Sequence, residues 1–199
     1  MIQAVLFDFN GVLVDDEPQH CEALRRVLAE DGITLSRDEY YAHYLGLDDR
    51  TGFVEAYRRA QRTLTTEWVK HLIDKKSQIY LDLVSETLKM VPGAQEFVRA
   101  AAAHFRLGIV SGALRREIES LLSRAELMLQ FEVIVAAGEV PQSKPNPASY
   151  LAALRAFNDR SPIKAANCVV IEDSMAGIAA GLALDGDHRG GNRDREREQ

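Results

Sequence analysis

Asp8, Asn10, Ser111, Gly112, Lys144, Glu172 and Asp173 are the residues whose types and settings could do chemistry in this chain. Asp8 closes the apolar run Val5-Leu6-Phe7 and is followed by Phe9-Asn10-Gly11. Such a run reads as a buried strand. An aspartate where that strand emerges can act as a nucleophile or a metal ligand. Asn-Gly between apolar runs is also a hairpin signal, so this stretch alone leaves a simple turn open. Further along, Ser111-Gly112 follows the run Leu107-Gly108-Ile109-Val110, and Glu172-Asp173-Ser174 follows Cys168-Val169-Val170-Ile171. Lys144 stands in Ser143-Lys144-Pro145-Asn146-Pro147, just ahead of a helical pattern.

If those runs are parallel strands, all of these groups share one rim, where open α/β sheets collect their ligands. Together they offer a nucleophile, a hydroxyl with backbone N–H groups at a helix start, a fixed cation and an acidic pair. That set suits a phosphoryl group: the helix start and Ser111 can hold its oxygens, and Lys144 can neutralise charge on it and on Asp8. Carboxylates crowded beside a phosphate repel it unless a hard cation sits among them, which points to Mg²⁺. Taken singly, each feature has an ordinary use as a loop, a solvated lysine or a helix cap. Their joint occurrence in this order favours the site.

The elements that must position these groups follow from hydrophobic periodicity. Pro18 to Glu30 reads as a helix with Cys21, Leu24, Val27 and Leu28 on one face and Asp31-Gly32 as its stop. Residues 36–62 read as two short helices, capped by Ser36 and Thr51 and joined through Gly46-Leu47-Asp48-Asp49-Arg50. A longer helix starts near Thr66, with Leu72, Ile73, Ile79, Tyr80, Leu83 and Val84 as its core stripe and Lys70, Lys75 and Lys76 on a solvated face. From Val91-Pro92-Gly93 helices and strands alternate. A helix over 94–105 turns Phe97, Val98, Ala101 and Ala102 inward, and strands lie at 107–110, 132–136 and 168–171. Further helices run through Leu114 to Leu122, after Pro147, and from Met175 to about Leu184. Alternation of this kind implies a parallel sheet covered on both faces, interrupted by an all-helical insertion.

Composition bounds the function. The length of 199 residues holds one ordinary domain or a core with a modest insertion. A net charge of -6 gives no reason to expect nucleic acid or an anionic membrane as partner. No apolar run approaches a membrane span of ~20 residues, and the N-terminus has no signal-peptide pattern. Cys21 and Cys168 sit among apolar neighbours, which suits buried thiols in a reducing cytoplasm.

The chain resembles the haloacid dehalogenase superfamily, in the branch that includes phosphoglycolate phosphatase and β-phosphoglucomutase. The resemblance rests on four stretches: Phe7-Asp8-Phe9-Asn10-Gly11-Val12-Leu13-Val14-Asp15; Val110-Ser111-Gly112; Ser143-Lys144-Pro145-Asn146-Pro147; and Val170-Ile171-Glu172-Asp173-Ser174-Met175-Ala176-Gly177-Ile178. It implies a parallel Rossmann-like sheet over residues 1–16 and 89–184 and a helical cap over 17–88. It also implies a Mg²⁺-dependent phosphohydrolase for a small phosphorylated metabolite. Asp8 would become an aspartyl-phosphate. Ser111, Gly112 and Lys144 would bind phosphate, and Asp8, Glu172 and Asp173 would hold the metal with the backbone carbonyl of Asn10.

Two departures stand out. The family's first motif reads Asp-x-Asp, its second aspartate acting as general acid and base, and that place is Asn10 here. An amide cannot protonate a leaving oxygen. Relatives also continue past the fourth motif with a further strand, whereas residues 185–199 are a charged run without an apolar residue, expected to be disordered. A phosphomutase is one alternative, since the same chemistry can return the phosphate to a sugar, and the two departures make a catalytically weak phosphometabolite binder another. A dehalogenase would leave Glu172-Asp173 without a role. Arg50, in the loop of the insertion, is the candidate for substrate contact, against the plainer reading of an ion pair with Asp48 or Asp49.

Overall fold

A computed structural model describes residues 1–184; the expectation for the charged run 185–199 lies outside the described residues. The chain opens with strand β1 (Ala4–Phe7) and then forms four helices, α1 (Glu17–Glu30), α2 (Arg37–His43), α3 (Asp49–Arg59) and α4 (Thr66–Thr87). Helix α5 (Ala94–Ala102) leads into β2 (Arg106–Val110), α6 (Arg115–Arg124) and β3 (Val133–Val135). Helix α7 (Ala148–Asn158), β4 (Cys168–Ile171) and α8 (Met175–Ala183) follow. The strands form one parallel sheet in the order β3-β2-β1-β4. The fold is therefore α/β, a four-stranded parallel sheet with a helical insertion.

The sheet order explains the burial of β1. Flanked by β2 and β4, it buries all four of its residues, as the uninterrupted apolar run requires. Val5 and Phe7 face a core built with α5, α6 and the second half of α4. Ala4 and Leu6 face a core built with α7 and α8. Among the described residues β4 is an edge, and Val169 on it is exposed.

The insertion has its own hydrophobic cluster, in which Leu24, Val27 and Leu28 of α1 meet Phe53 and Tyr57 of α3 and Leu72 of α4. Ser36 caps α2 as expected, in a full capping box with Glu39. Helix α3 is capped by Asp48 rather than Thr51: the Asp48 carboxylate accepts the Thr51 N–H, so Thr51 is the recipient of the cap. The cap of α4 is Thr65, one residue before the expected start.

Three side chains depart from expectation in ways that packing explains. Phe97 is half exposed, its ring centroid 6.0 Å from that of Phe7 with the planes at 70°, while Ala94, Val98 and Ala101 form the buried face of α5. Cys168 is half-buried, its Sγ 3.7 Å from the Lys164 carbonyl, whereas Cys21 is buried. Lys76 is buried rather than solvated, because an acid and a histidine from other elements meet it inside. No helix among the described residues is long and apolar enough to cross a membrane.

Candidate active site

Parallel strands end on one side, and the ends here converge. Asp8 follows β1, with its N–H on the Ile171 carbonyl at 2.9 Å; Ser111 follows β2, with its N–H on the Val135 carbonyl at 2.9 Å. Continuing the ladder by one residue fixes both backbones at the rim. Glu172 and Asp173 follow β4, and Lys144 comes from the loop before α7.

Lys144 is the hub. Its Nζ donates to the Val110 carbonyl at 2.9 Å, lies 3.1 Å from Asp8 Oδ1, and pairs with Glu172. It also sits 5.4 Å from the Tyr150 ring centroid. Glu172 is further held by the Ser174 N–H and hydroxyl, both at 3.0 Å, and by the Tyr150 hydroxyl at 3.2 Å.

Electrostatics at this rim are unbalanced. Burial pushes the Asp8 carboxyl up from the ordinary 3.8 to about 6; Lys144 opposes the rise and Glu172 adds to it. Burial raises Asp173 too, again with Glu172 beside it. Burial also acts on Glu172, but the hydrogen bond and charge of Lys144, with the Ser174 donors, outweigh it and hold Glu172 below its ordinary value. One cation thus serves three carboxylates.

That excess fits a divalent metal. Asp8, Glu172 and Asp173 each offer a carboxylate oxygen, all within 4.8 Å of one another. Asp8 Oδ1 is buried without a hydrogen-bond donor; Lys144 is in ion-pair range but not aligned to donate. An all-oxygen, anionic set is what Mg²⁺ prefers. Gly11 is what lets Asp173 close in. Its φ of 75° favours glycine, and a Cβ there would lie 2.1 Å from Asp173 Oδ2.

Asn10 faces the other way. Its side-chain amide donates to Asp16 Oδ2 at 2.7 Å and lies 3.0 Å from His20 Nε2. Lys76 Nζ lies 2.8 Å from His20 Nδ1 and pairs with Asp49. An ammonium can only donate, so His20 Nδ1 is the acceptor and Nε2 carries the ring proton; Asp16 Oδ2, 3.5 Å away, is the acceptor beside it, since Asn10 Nδ2 is itself a donor. Tyr80 stacks on His20 with centroids 4.1 Å apart and gives its hydroxyl to Asp16. Sequence reasoning gives Asp16 and His20 no role, places Tyr80 in a core stripe and Lys76 on a solvated face, and offers Asp49 only as an ion-pair partner for Arg50. Asp16 and His20 do fall four apart at the start of α1, and that spacing was the available signal.

A cavity of about 570 Å³ lies between the rim and the insertion. Asp8, Asn10, Ser111, Gly112, Lys144 and Asp173 line it from the core, and Glu17, Tyr44, Asp48, Asp49 and Lys76 from the insertion. The cavity therefore gathers all the predicted site residues except two. Glu172 lies behind Lys144. Arg50 is exposed, does not line the cavity, and makes no ion pair with Asp48 or Asp49.

Comparison with known proteins agrees with this geometry. The phosphorylated carbohydrates phosphatase of Thermotoga maritima is 31% identical over 183 residues, covering 90% of this chain and 80% of that protein. Hexitol phosphatase B of Escherichia coli is 28% identical, covering 92% and 80%. An aspartate-to-asparagine variant of CbbY from Rhodobacter sphaeroides, solved with xylulose-(1,5)bisphosphate, superposes with a TM-score of 0.82 at 26% identity, covering 92% of this chain and 83% of that one. Residues 2–185 match the haloacid dehalogenase-like hydrolases as a family, and with Asp8, Lys144 and the Glu172–Asp173 pair gathered at one rim of the parallel sheet, the chain belongs to that family.

Proposed function

We propose that this chain is a phosphohydrolase that cleaves small phosphate monoesters through a covalent phosphate on Asp8. The observation that carries the reading is the convergence of Asp8, Lys144 and the Glu172–Asp173 pair around one half-buried, underneutralised rim. Residues 1–16 and 89–184 are the catalytic core in this reading, and 17–88 are the cap that closes the cavity.

In the first step an Asp8 carboxylate oxygen bonds to phosphorus as the ester P–O bond breaks, and the alcohol oxygen leaves with the electron pair. Lys144 and the Ser111 hydroxyl with the Gly112 N–H hold the phosphoryl oxygens and balance their charge. Asp8, Glu172, Asp173 and the Asn10 carbonyl would hold Mg²⁺, which when bound neutralises charge that the three carboxylates and the phosphate otherwise share. In the second step water takes the phosphoryl group from Asp8 and regenerates the carboxylate. Asn10 supplies no proton to the leaving oxygen, so the alcohol departs as an alkoxide or takes its proton from water. Strong leaving groups are therefore favoured.

The relatives support the substrate class. Two are named as phosphatases of phosphorylated carbohydrates and hexitols. A second reading, a weak catalyst that mainly binds a phosphometabolite, draws on Asn10 and on the charged sequence that follows the fourth motif. Turnover of an aryl phosphate separates the two. Hydrolysis should require Mg²⁺ and vanish in Asp8→Ala, and BeF₃⁻ with Mg²⁺ should stabilise the folded protein as an aspartyl-phosphate mimic. Undiminished turnover in EDTA or by Asp8→Ala overturns the assignment.

A further inference from the structure

The proposed reaction places one phosphoryl group at Lys144; what the rest of the cavity accepts depends on its own charges. The insertion side presents Glu17, Asp48 and Asp49, and the core side adds Glu117. The lysines among the lining residues are Lys144 and Lys76. Lys144 is committed to Asp8 and Glu172. Lys76, with its side chain only 5% exposed, is committed to Asp49 and to His20 Nδ1 at 2.8 Å. Arg50 stands outside.

Resting on the phosphohydrolase reading, we infer that Asp49 sets specificity: by occupying Lys76 it leaves the leaving-group half of the cavity without a free cation among the described residues, so among alkyl phosphates the cavity selects the monophosphate ester of an uncharged polyol. A second phosphate or a carboxylate would face Glu17, Asp48 and Asp49 with no free cation among the described residues to receive it, and like charges brought together in a half-closed cavity are costly.

A second observation points to hydroxyl groups. Glu117 Oε1 is buried with no hydrogen-bond donor among the described residues, and so is Ser149 Oγ. Both residues line the cavity. A carboxylate oxygen in that state is satisfied by an O–H donor. A polyol supplies such donors along its length, whereas a second anion supplies acceptors only. The chain thus differs from the CbbY variant, which is seen with a bisphosphate.

The test compares sorbitol phosphate, phosphoglycolate and a ketose bisphosphate, all with Mg²⁺. Turnover is measured with the wild-type chain, and calorimetric affinity with Asp8→Asn, which leaves the esters intact. The neutral polyol ester should lead by at least about tenfold in both kcat/KM and affinity, the discrimination expected of one unpaired like-charge contact. Asp49→Asn frees Lys76 and should shrink that lead by about tenfold, mainly through KM for the anionic esters. Asp48→Asn is the companion variant that keeps the helix cap, since Asn caps as well as Asp, and it should move the preference the same way. Equal or tighter binding of phosphoglycolate or the bisphosphate by the unaltered cavity overturns the inference, as does an unchanged preference in both folded variants or binding of none of the esters. The predicted affinity order without turnover overturns the hydrolase reading instead and leaves the charge selection standing.

Discussion

Replacing Asp8 should make the metal-free protein more stable, and the size of the gain follows from this one carboxyl. Burial raises Asp8 from 3.8 to about 6, which corresponds to about 3 kcal/mol of differential cost for the ionised form at neutral pH. The sign is that of a raised folded pKa. The contribution to stability is complete below about pH 4, is lost as pH rises through about 6, and is about half lost already at pH 5. Asp8→Asn keeps the shape without the charge. Its advantage over the wild type should therefore grow from near zero at pH 4 toward a ceiling of about 3 kcal/mol at pH 7.5. The ceiling will not be reached, because Lys144 loses one partner, though it keeps Glu172 and the Val110 carbonyl. Glu172 titrates with the opposite sign but is present in both proteins, so it cancels to first order in the comparison. Urea unfolding in EDTA at pH 5 and pH 7.5 measures the difference. Added Mg²⁺ should raise the wild type more than the variant, through binding to the native state alone. A variant less stable than wild type at pH 7.5 in EDTA, or a gap that does not change with pH, refutes the claim that this rim holds uncompensated charge.

Three further outcomes are expected. Asn10→Asp should raise turnover of alkyl phosphates by about 10²-fold or more and that of aryl phosphates far less, since general acid assistance matters most for poor leaving groups; equal effects on both would remove Asn10 from the mechanism. Intact mass must be checked in that assay, because Asn10-Gly11 has little steric protection against deamidation to an acid at the same position. Gly11→Ala should destabilise the fold by about 1–3 kcal/mol through its left-handed backbone and, by displacing Asp173, raise the Mg²⁺ concentration needed for half-maximal activity; an unaltered metal response would show that Asp173 does not depend on the close approach at Gly11. Ser36→Ala, far from the chemistry, should cost about 1 kcal/mol of stability by urea unfolding while leaving kcat/KM for an aryl phosphate unchanged, and a loss of activity would mean that α2 shapes the cavity more directly than its cap implies.

What could be read in the sequence was whatever depends on neighbours along the chain. The strands at 107–110 and 168–171 are legible because an apolar run bounded by turn residues has few alternatives, and Asp8, Ser111, Glu172 and Asp173 come with them as the residues next in line. Cap choice is harder. Asp48 and Thr51 both suit the role, and only the chain's turn after Leu47 decides that the aspartate accepts and the threonine donates its N–H. Lys76 reads as solvated because a lysine in a helix looks the same whether or not a carboxylate waits for it, and Asp49 arrives from α3 by tertiary packing. The same holds for Asp16, whose donor Tyr80 lies 64 residues away. Phe97 failed for another reason: alanines on α5 bury enough of that helix against the sheet that the large ring is not needed inside. Long-range polar pairing leaves almost no periodic trace, and that is where the unpredicted part of the site lies.

Helix α4 runs through both halves of the molecule. Leu72 belongs to the insertion's cluster, while Tyr80 and Val84 belong to the sheet's core. Arg116 and Arg124 of α6 reach its Ser77 hydroxyl and the Val84 and Ser85 carbonyls. The two strands of chain that join insertion to core lie side by side, with the Asp15 N–H on the Lys89 carbonyl at 2.8 Å and Val14 bridged to Met90. Mechanically this pins α4 to the core from Ser77 to Ser85, and the arm that is free of the sheet runs from Ser77 back to Thr66. At about 1.5 Å per residue that arm is roughly 17 Å long. A tilt of the insertion about Ser77 would displace Thr66 most and leave Lys76, at the base of the arm, nearly in place, so the polar chain behind Asn10 sits at the stiff end.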